Sequence, residues 1–316
     1  MYATLMLVLM LPMGLQEPDD AADYRTQHAR YTDIFELTDD AEKATLFMDF
    51  VDEGFDERLL GALQAGIQDS LVALSGAGND ELYPLSDRWD SQTSELSGAA
   101  ISLQTAAGSG NNEMIVKYGE IVYQVNPIID IAQILAVSYS TLGNNPKYLD
   151  YANVVINDKG VGDAFDFSYN IFQQELAVPN LDTAADWAMR LAALGSAPAG
   201  VTDAEWGDMG VEFQTTIARS HYEGERWRDA MREYTTLGEM DRGLRGLTLF
   251  YRGQCHLKLE EFPEALDRFA DASVVNDTTY SSPSRAMVEE IYSTNTGGTL
   301  DGLQDNVIGP ARFRMR

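Results

Sequence analysis

Residues 213–237 read FQTTIARSHYEGERWRDAMREYTTL, and residues 248–272 read TLFYRGQCHLKLEEFPEALDRFADA. Laid over each other with a shift of 35, they match in residue type at several positions. His221 falls on His256, Glu225 on Glu260, Trp227 on Phe262, Ala230 on Ala265, Tyr234 on Phe269 and Leu237 on Ala272. Helical periods flank and fill both copies: Thr202–Tyr222, Arg226–Leu237, Gly243–Leu259 and Pro263–Val274, each bounded by Gly, Pro, Asn or Asp. Self-similarity at such a period marks a two-helix unit that cannot bury its apolar face alone and therefore stacks on its neighbours.

This pattern resembles the tetratricopeptide repeat (TPR) family, in which two antiparallel helices form a unit of about 34 residues. In that family the first helix carries a small residue where it crosses its partner, matched here by Ala218 and Gly253. The second carries a small residue, an aromatic four later and a small one three after that. Ala265, Phe269 and Ala272 match all three; Ala230 and Tyr234 match two, and Leu237 departs at the third. Trp227 and Phe262 stand where packing aromatics are expected, whereas Asp277 replaces the family's terminal proline. Small residues let helix axes approach to about 8–10 Å, and the aromatic fills the space between hairpins. The resemblance is to an exported bacterial type. It implies an all-α fold of antiparallel helical hairpins stacked as a TPR-like solenoid with a concave inner face. It also implies a non-enzymatic scaffold for protein partners. Recognition is then expected on the first helices, at Gln214, Arg219, Tyr222, Arg245, Arg252 and Gln254, polar or aromatic residues on helices whose apolar side is already committed.

Working outward, helical periodicity continues in both directions. Asp39 with Glu42 makes a capping box before Ala41–Phe50. Leu59, Leu60, Leu63, Ile67, Leu71 and Leu74 form an apolar stripe. Asn126-Pro127 opens a run through Ile131, Ile134, Leu135, Val137 and Tyr139 that closes at Gly143. Gly143 follows Ala136 and Tyr139 as a family turn glycine would, and Gly110 lies 33 residues earlier, yet Tyr148 occupies a position that should be small. The expected organisation is therefore degenerate hairpins over 17–194 and TPR-like repeats over 195–293, clearest in 211–277. An irregular tail over 294–316 ends in Arg312, Phe313 and Arg314, a basic local reversal that suits a docking peptide.

Charge excludes some partners. Against 22 Lys+Arg stand 50 Asp+Glu, a net of −28, so binding of nucleic acid or an anionic lipid surface through charge is not expected. Only five of the cations are Lys, and the acids are spread along the chain, as on a solvated surface suited to saline surroundings. A face for a basic partner or for divalent cations is the alternative. Tyr2–Leu15 is uncharged and apolar, then turns acidic at Glu17. At fourteen residues it is shorter than the roughly 20 of a membrane span, and it matches a signal peptide or a short membrane or docking segment over 1–16. The expected location is exported, periplasmic or membrane-associated. The alternative function is a structural subunit of a membrane complex anchored by this segment.

No catalytic, cofactor or metal site is expected. Cys255 is the single cysteine, and the histidines are His28, His221 and His256. Cys255 falls in the first helix of the clearest repeat and reads as a small buried residue. Gly108-Ser109-Gly110 lacks the Lys-Ser/Thr of a phosphate loop and reads as a hairpin turn. Asn157–Asp166 lacks the glycine and glutamate of a calcium loop. Acid pairs such as Asp39-Asp40 suit helix starts, Asn276-Asp277-Thr278 is a glycosylation sequon by pattern only, and Trp89, Trp187 and Trp206 read as core.

Overall fold

The computed structural model describes residues 21–93, 96–178 and 181–315; the apolar segment 1–16 lies outside them. The described residues are helical, with no strand. They divide into two compact units, one up to Tyr151 and one from Ala152 onward. The first contains α1 (Ala21–Phe35), α2 (Asp40–Glu53), α3 (Leu60–Ala77), α4 (Leu82–Thr93), α5 (Ser97–Ser109), α6 (Asn112–Val125) and α7 (Ile129–Thr141). The division falls within α8 (Asn145–Lys159). The second contains α9 (Phe165–Leu176), α10 (Leu181–Ala192), α11 (Asp203–Glu223), α12 (Trp227–Met240), α13 (Arg245–Lys258), α14 (Phe262–Val274), α15 (Ser281–Asn295) and α16 (Gly309–Arg314).

Within the second unit each helix from α9 to α15 packs chiefly on its chain neighbour, which is the nearest-neighbour stacking of a TPR-like solenoid. The turns inside the two clearest hairpins are the same structure. The α11–α12 turn has Arg226 N–H donating to His221 C=O at 2.8 Å and Glu225 N–H to Tyr222 C=O at 3.1 Å. In the α13–α14 turn the corresponding bonds are Glu261 to His256 at 2.9 Å and Glu260 to Leu257 at 3.1 Å. Both are Schellman closures with a left-handed residue at the pivot, Glu225 (φ 58°) and Glu260 (φ 60°). In the first unit the same pivot is glycine. Gly78 ends α3 and Gly110 ends α5, with Asn79 N–H bonded to Leu74 C=O at 3.1 Å and Asn111 N–H to Ala106 C=O at 3.0 Å. Gly143 ends α7 likewise, Asn144 N–H bonding Tyr139 C=O at 2.9 Å. The glycine at 110 is therefore a hairpin turn, as its sequence indicates.

Caps set the helix starts. Asp39 accepts from the N–H groups of Ala41 and Glu42 at 3.0 Å each. Thr202 and Glu205 form a full capping box at the start of α11. The first unit's main core gathers Phe47, Phe50, Leu63, Ile67, Leu71 and Trp89, where α2, α3 and α4 meet. In the second unit Ala218, Ala230, Tyr234, Leu237 and Cys255 are wholly buried together. Trp187 and Trp206 pack against the cluster of Phe172 and Phe213.

Two expectations are corrected here. Within the stretch 294–316, expected to be an irregular tail, Gln304–Arg314 is helical. Leu303, Val307, Ile308 and Ala311 recur at three- and four-residue steps that its glycines and Pro310 obscure. They pack through a π turn (Gln304–Ile308) and α16 onto Ala265, Phe269 and Ala270 of α14. Phe262 is not a packing aromatic but 46% exposed. Its counterpart Trp227 lies edge-on against Tyr222 at 5.2 Å, and the second copy has Leu257 in place of that tyrosine, so Phe262 has no ring to meet.

Candidate partner-binding face

The first helices of successive hairpins in the second unit are linked by a continuous set of aromatic rings. Tyr222 of α11 meets Tyr251 of α13 edge-on at 5.1 Å. Tyr251 stacks on the buried Tyr234 of α12 at 5.0 Å with 7° between planes, and touches Tyr280, the residue before α15, at 6.2 Å. Phe250 closes the set against Tyr280 at 5.5 Å. Large rigid rings bring contact area at low entropic cost, and the hydroxyl on each tyrosine leaves one end polar.

Arg219 stands beside this set. It is exposed, pairs with Glu223 one turn on at 3.2 Å, and acts electrostatically on both Tyr234 and Tyr280. Burial raises the pKa of the Tyr222, Tyr234 and Tyr280 hydroxyls, so they stay protonated donors at neutral pH. The hydroxyls of Tyr222, Tyr251 and Tyr280 make no hydrogen bond to another described residue, and that of Tyr234 is buried without a partner. The first unit treats tyrosines differently. There Glu120 accepts from Tyr139 at 2.6 Å, Lys147 at 2.8 Å and Tyr151 at 3.4 Å, so that cluster is internally satisfied.

The residues expected at the partner face separate. Arg219 and Tyr222 are brought together, Gln254 is half-buried on α13, and Arg245 is exposed at the start of that helix. Gln214 is committed elsewhere: its amide donates to the Glu233 backbone carbonyl at 3.1 Å and carboxylate at 2.9 Å, tying α11 to α12. Arg252 is half-buried, and its charged neighbours are Arg268 and Asp271 of α14 and Glu239 of α12. In the tail Arg314 bonds Asp271 at 2.9 Å and Asp267 at 3.2 Å, so it engages this protein's own acids, while Arg312 and Phe313 are exposed. Tyr251 and Tyr280 carried no repeat signal; Tyr251 aligns with Thr216, and its ring matters only once α13 lies beside α11.

The remaining candidates are structural. Cys255 is wholly buried, and burial pushes its thiol up to about 12, far from a nucleophile's range. His256 shares a 2.7 Å hydrogen bond with Glu261, which also pairs with Arg228 of α12. Across the repeat Arg226 replaces that glutamate, turning to Asp182 at 3.0 Å and Ser220 at 2.9 Å, and His221 Nδ1 is left buried without a partner. Among the described residues no cluster of three His, Cys, Asp or Glu could hold a metal ion, and no helix is long and apolar enough to cross a membrane.

No family model matches the chain, and no curated protein matches it. Among solved structures it is similar to the TPR domain of P58(IPK), with a TM-score of 0.31 and 12% identity over 88% of this chain and 81% of that one. The two-helix, TPR-like architecture stands on this chain's own turns and packing.

Proposed function

We propose that this protein is a non-enzymatic helical-repeat scaffold that binds a protein partner across α11, α13 and the start of α15. The observation that carries the reading is the run Tyr222–Tyr251–Tyr280 beside Arg219, with tyrosine hydroxyls that bond no other described residue. Aromatic residues and arginine are the types that dominate binding energy at protein interfaces. A location outside the cytoplasm, and a role beside a membrane complex, rest on the apolar sequence Tyr2–Leu15 and belong to the same proposal.

The test is site-specific photo-crosslinking in native extract, with the reactive group placed at Tyr222 or at the exposed Met189 of α10. One discrete protein adduct at position 222, absent at 189 and lost on Arg219→Glu without a change in Tm, supports the reading. Identical adducts at both positions, or indifference to Arg219→Glu, rejects it.

A further inference from the structure

A cavity of about 210 Å³ lies between α10 and α11, with Arg226, the residue before α12, in its wall. Asp182, Asp186 and Met189 line it from one face of α10, and Ile217, Ser220 and His221 line it from α11. Three of these groups hold one another. Ser220 Oγ donates to Asp182 at 2.7 Å, and Arg226 Nη2 donates to Asp182 at 3.0 Å and to Ser220 at 2.9 Å. This network occupies one nitrogen of the guanidinium; Nε and Nη1 bond no described residue. Asp186 is exposed and forms no hydrogen bond or ion pair with a described residue. Ile217 and Met189 give the same cavity its apolar surface.

The repeat shows that folding does not require this arrangement. At the shift of 35, Ser220 becomes Cys255 and Arg226 becomes Glu261. There the histidine is satisfied by Glu261 at 2.7 Å; here Arg226 turns to Asp182, and His221 Nδ1 is buried without a partner. Departure from a satisfied local pattern, at a cavity, is what a functional site looks like. A fixed guanidinium and a carboxylate, both with bonding capacity to spare, flank apolar surface in one small volume. That set complements a molecule with a carboxylate and an ammonium on one carbon and an apolar side chain beside them. A lone amine leaves Arg226 unmet, and a lone carboxylate leaves Asp186 unmet. The volume is below the roughly 300–1,000 Å³ of pockets for drug-sized ligands, so the ligand is small. We propose that this cavity binds a free α-amino acid with a small apolar side chain, its carboxylate on Arg226 and its ammonium on Asp186. The site is separate from the partner face and does not depend on it.

The full-length protein is titrated calorimetrically at neutral pH with L-alanine, L-valine and L-methionine. The tightest of them is then compared with the corresponding amine and the corresponding acid, the same molecule without its carboxylate or without its ammonium. One amino acid is expected to bind saturably, and both truncated ligands should bind about tenfold or more weakly, the worth of one charge-assisted hydrogen bond. Asp186→Asn has no partner in the fold to lose, so it should keep the parent Tm and weaken the amino acid about tenfold or more. Arg226→Gln should weaken it likewise, but it also breaks the network with Asp182 and Ser220, so Asp186→Asn carries the decision. The proposal is overturned if none of the three amino acids binds, if Asp186→Asn binds as the parent does, or if the amine or the acid alone binds as tightly as the amino acid.

Discussion

The α5–α6 hairpin of the first unit and the α13–α14 hairpin of the second use the same fold with the sizes of their contact residues exchanged. Counted from the pivots Gly110 and Glu260, Leu103 corresponds to Gly253, Ile115 to Ala265 and Gly119 to Phe269. In α13–α14 the hole is on the first helix: a Cβ on Gly253 would lie 2.9 Å from the Phe269 ring. In α5–α6 the hole is on the second: a Cβ on Gly119 would lie 2.8 Å from Leu135 of α7 and 3.5 Å from Leu103. α8 follows the first pattern of α6, with Tyr148 and Ala152 both buried where Ala265 and Phe269 stand in α14. Close packing fixes the summed volume at a crossing but not which helix supplies the bulk. The family's size signature fades upstream for that reason, while the hairpins persist.

The sharpest way to break this comparison is to remove the large partner from each hairpin. Phe269→Ala should cost about 3–5 kcal/mol and Leu103→Ala about 2–5 kcal/mol, read as a lowered urea midpoint. A neutral Leu103→Ala would mean that the first unit does not rely on the exchanged contact. Filling the holes comes next. Gly253→Ala should lose about 1–3 kcal/mol because a ring lies in the way. Gly119→Ala should lose less, since the terminal methyl of Leu135 can turn aside. Combining Gly253→Ala with Phe269→Leu should recover part of the loss, and strict additivity would deny the contact.

The pivots give a smaller effect of opposite sign in the two units. Open space surrounds Gly110, so Gly110→Ala should cost about 1 kcal/mol through its left-handed backbone alone. Glu260→Gly should gain up to about 1 kcal/mol for the same reason, part of it returned through the freer unfolded chain.

The smallest expected effect is on pH dependence in the first unit. Burial works to raise the Glu120 pKa, but hydrogen bonds from Lys147 and Tyr139 outweigh it, and the carboxyl sits below its ordinary 4.5. Its contribution is therefore present above that value and is lost as pH falls through the lowered pKa. Glu120→Gln should flatten this part of the acid limb of a pH–stability curve, and an unchanged limb would place the linkage elsewhere.

Much of this was legible in the chain. The shift of 35 located both turns, including Glu225 and Glu260, and the apolar periods located α3, α7 and α11 to α14 within a few residues. Upstream, Gly110 and Gly143 marked the right pivots, but Tyr148 argued against a repeat because the volume exchange cannot be recognised from one helix at a time. The tail was misread for a related reason: glycine and proline counts report local freedom, whereas Leu303, Val307 and Ile308 order it only against Phe269 and Ala270.

By itself the sequence determined the helical period, the hairpin pivots, the acidic surface and the buried thiol, because these depend on local backbone preference, side-chain type and net charge. Only the tertiary structure decided which helix fills each crossing and that Gln214 and Arg314 are bound within the fold. It alone set Tyr251 between Tyr222 and Tyr280. Those outcomes depend on which side chains from distant positions share one volume, and no local pattern encodes that neighbourhood.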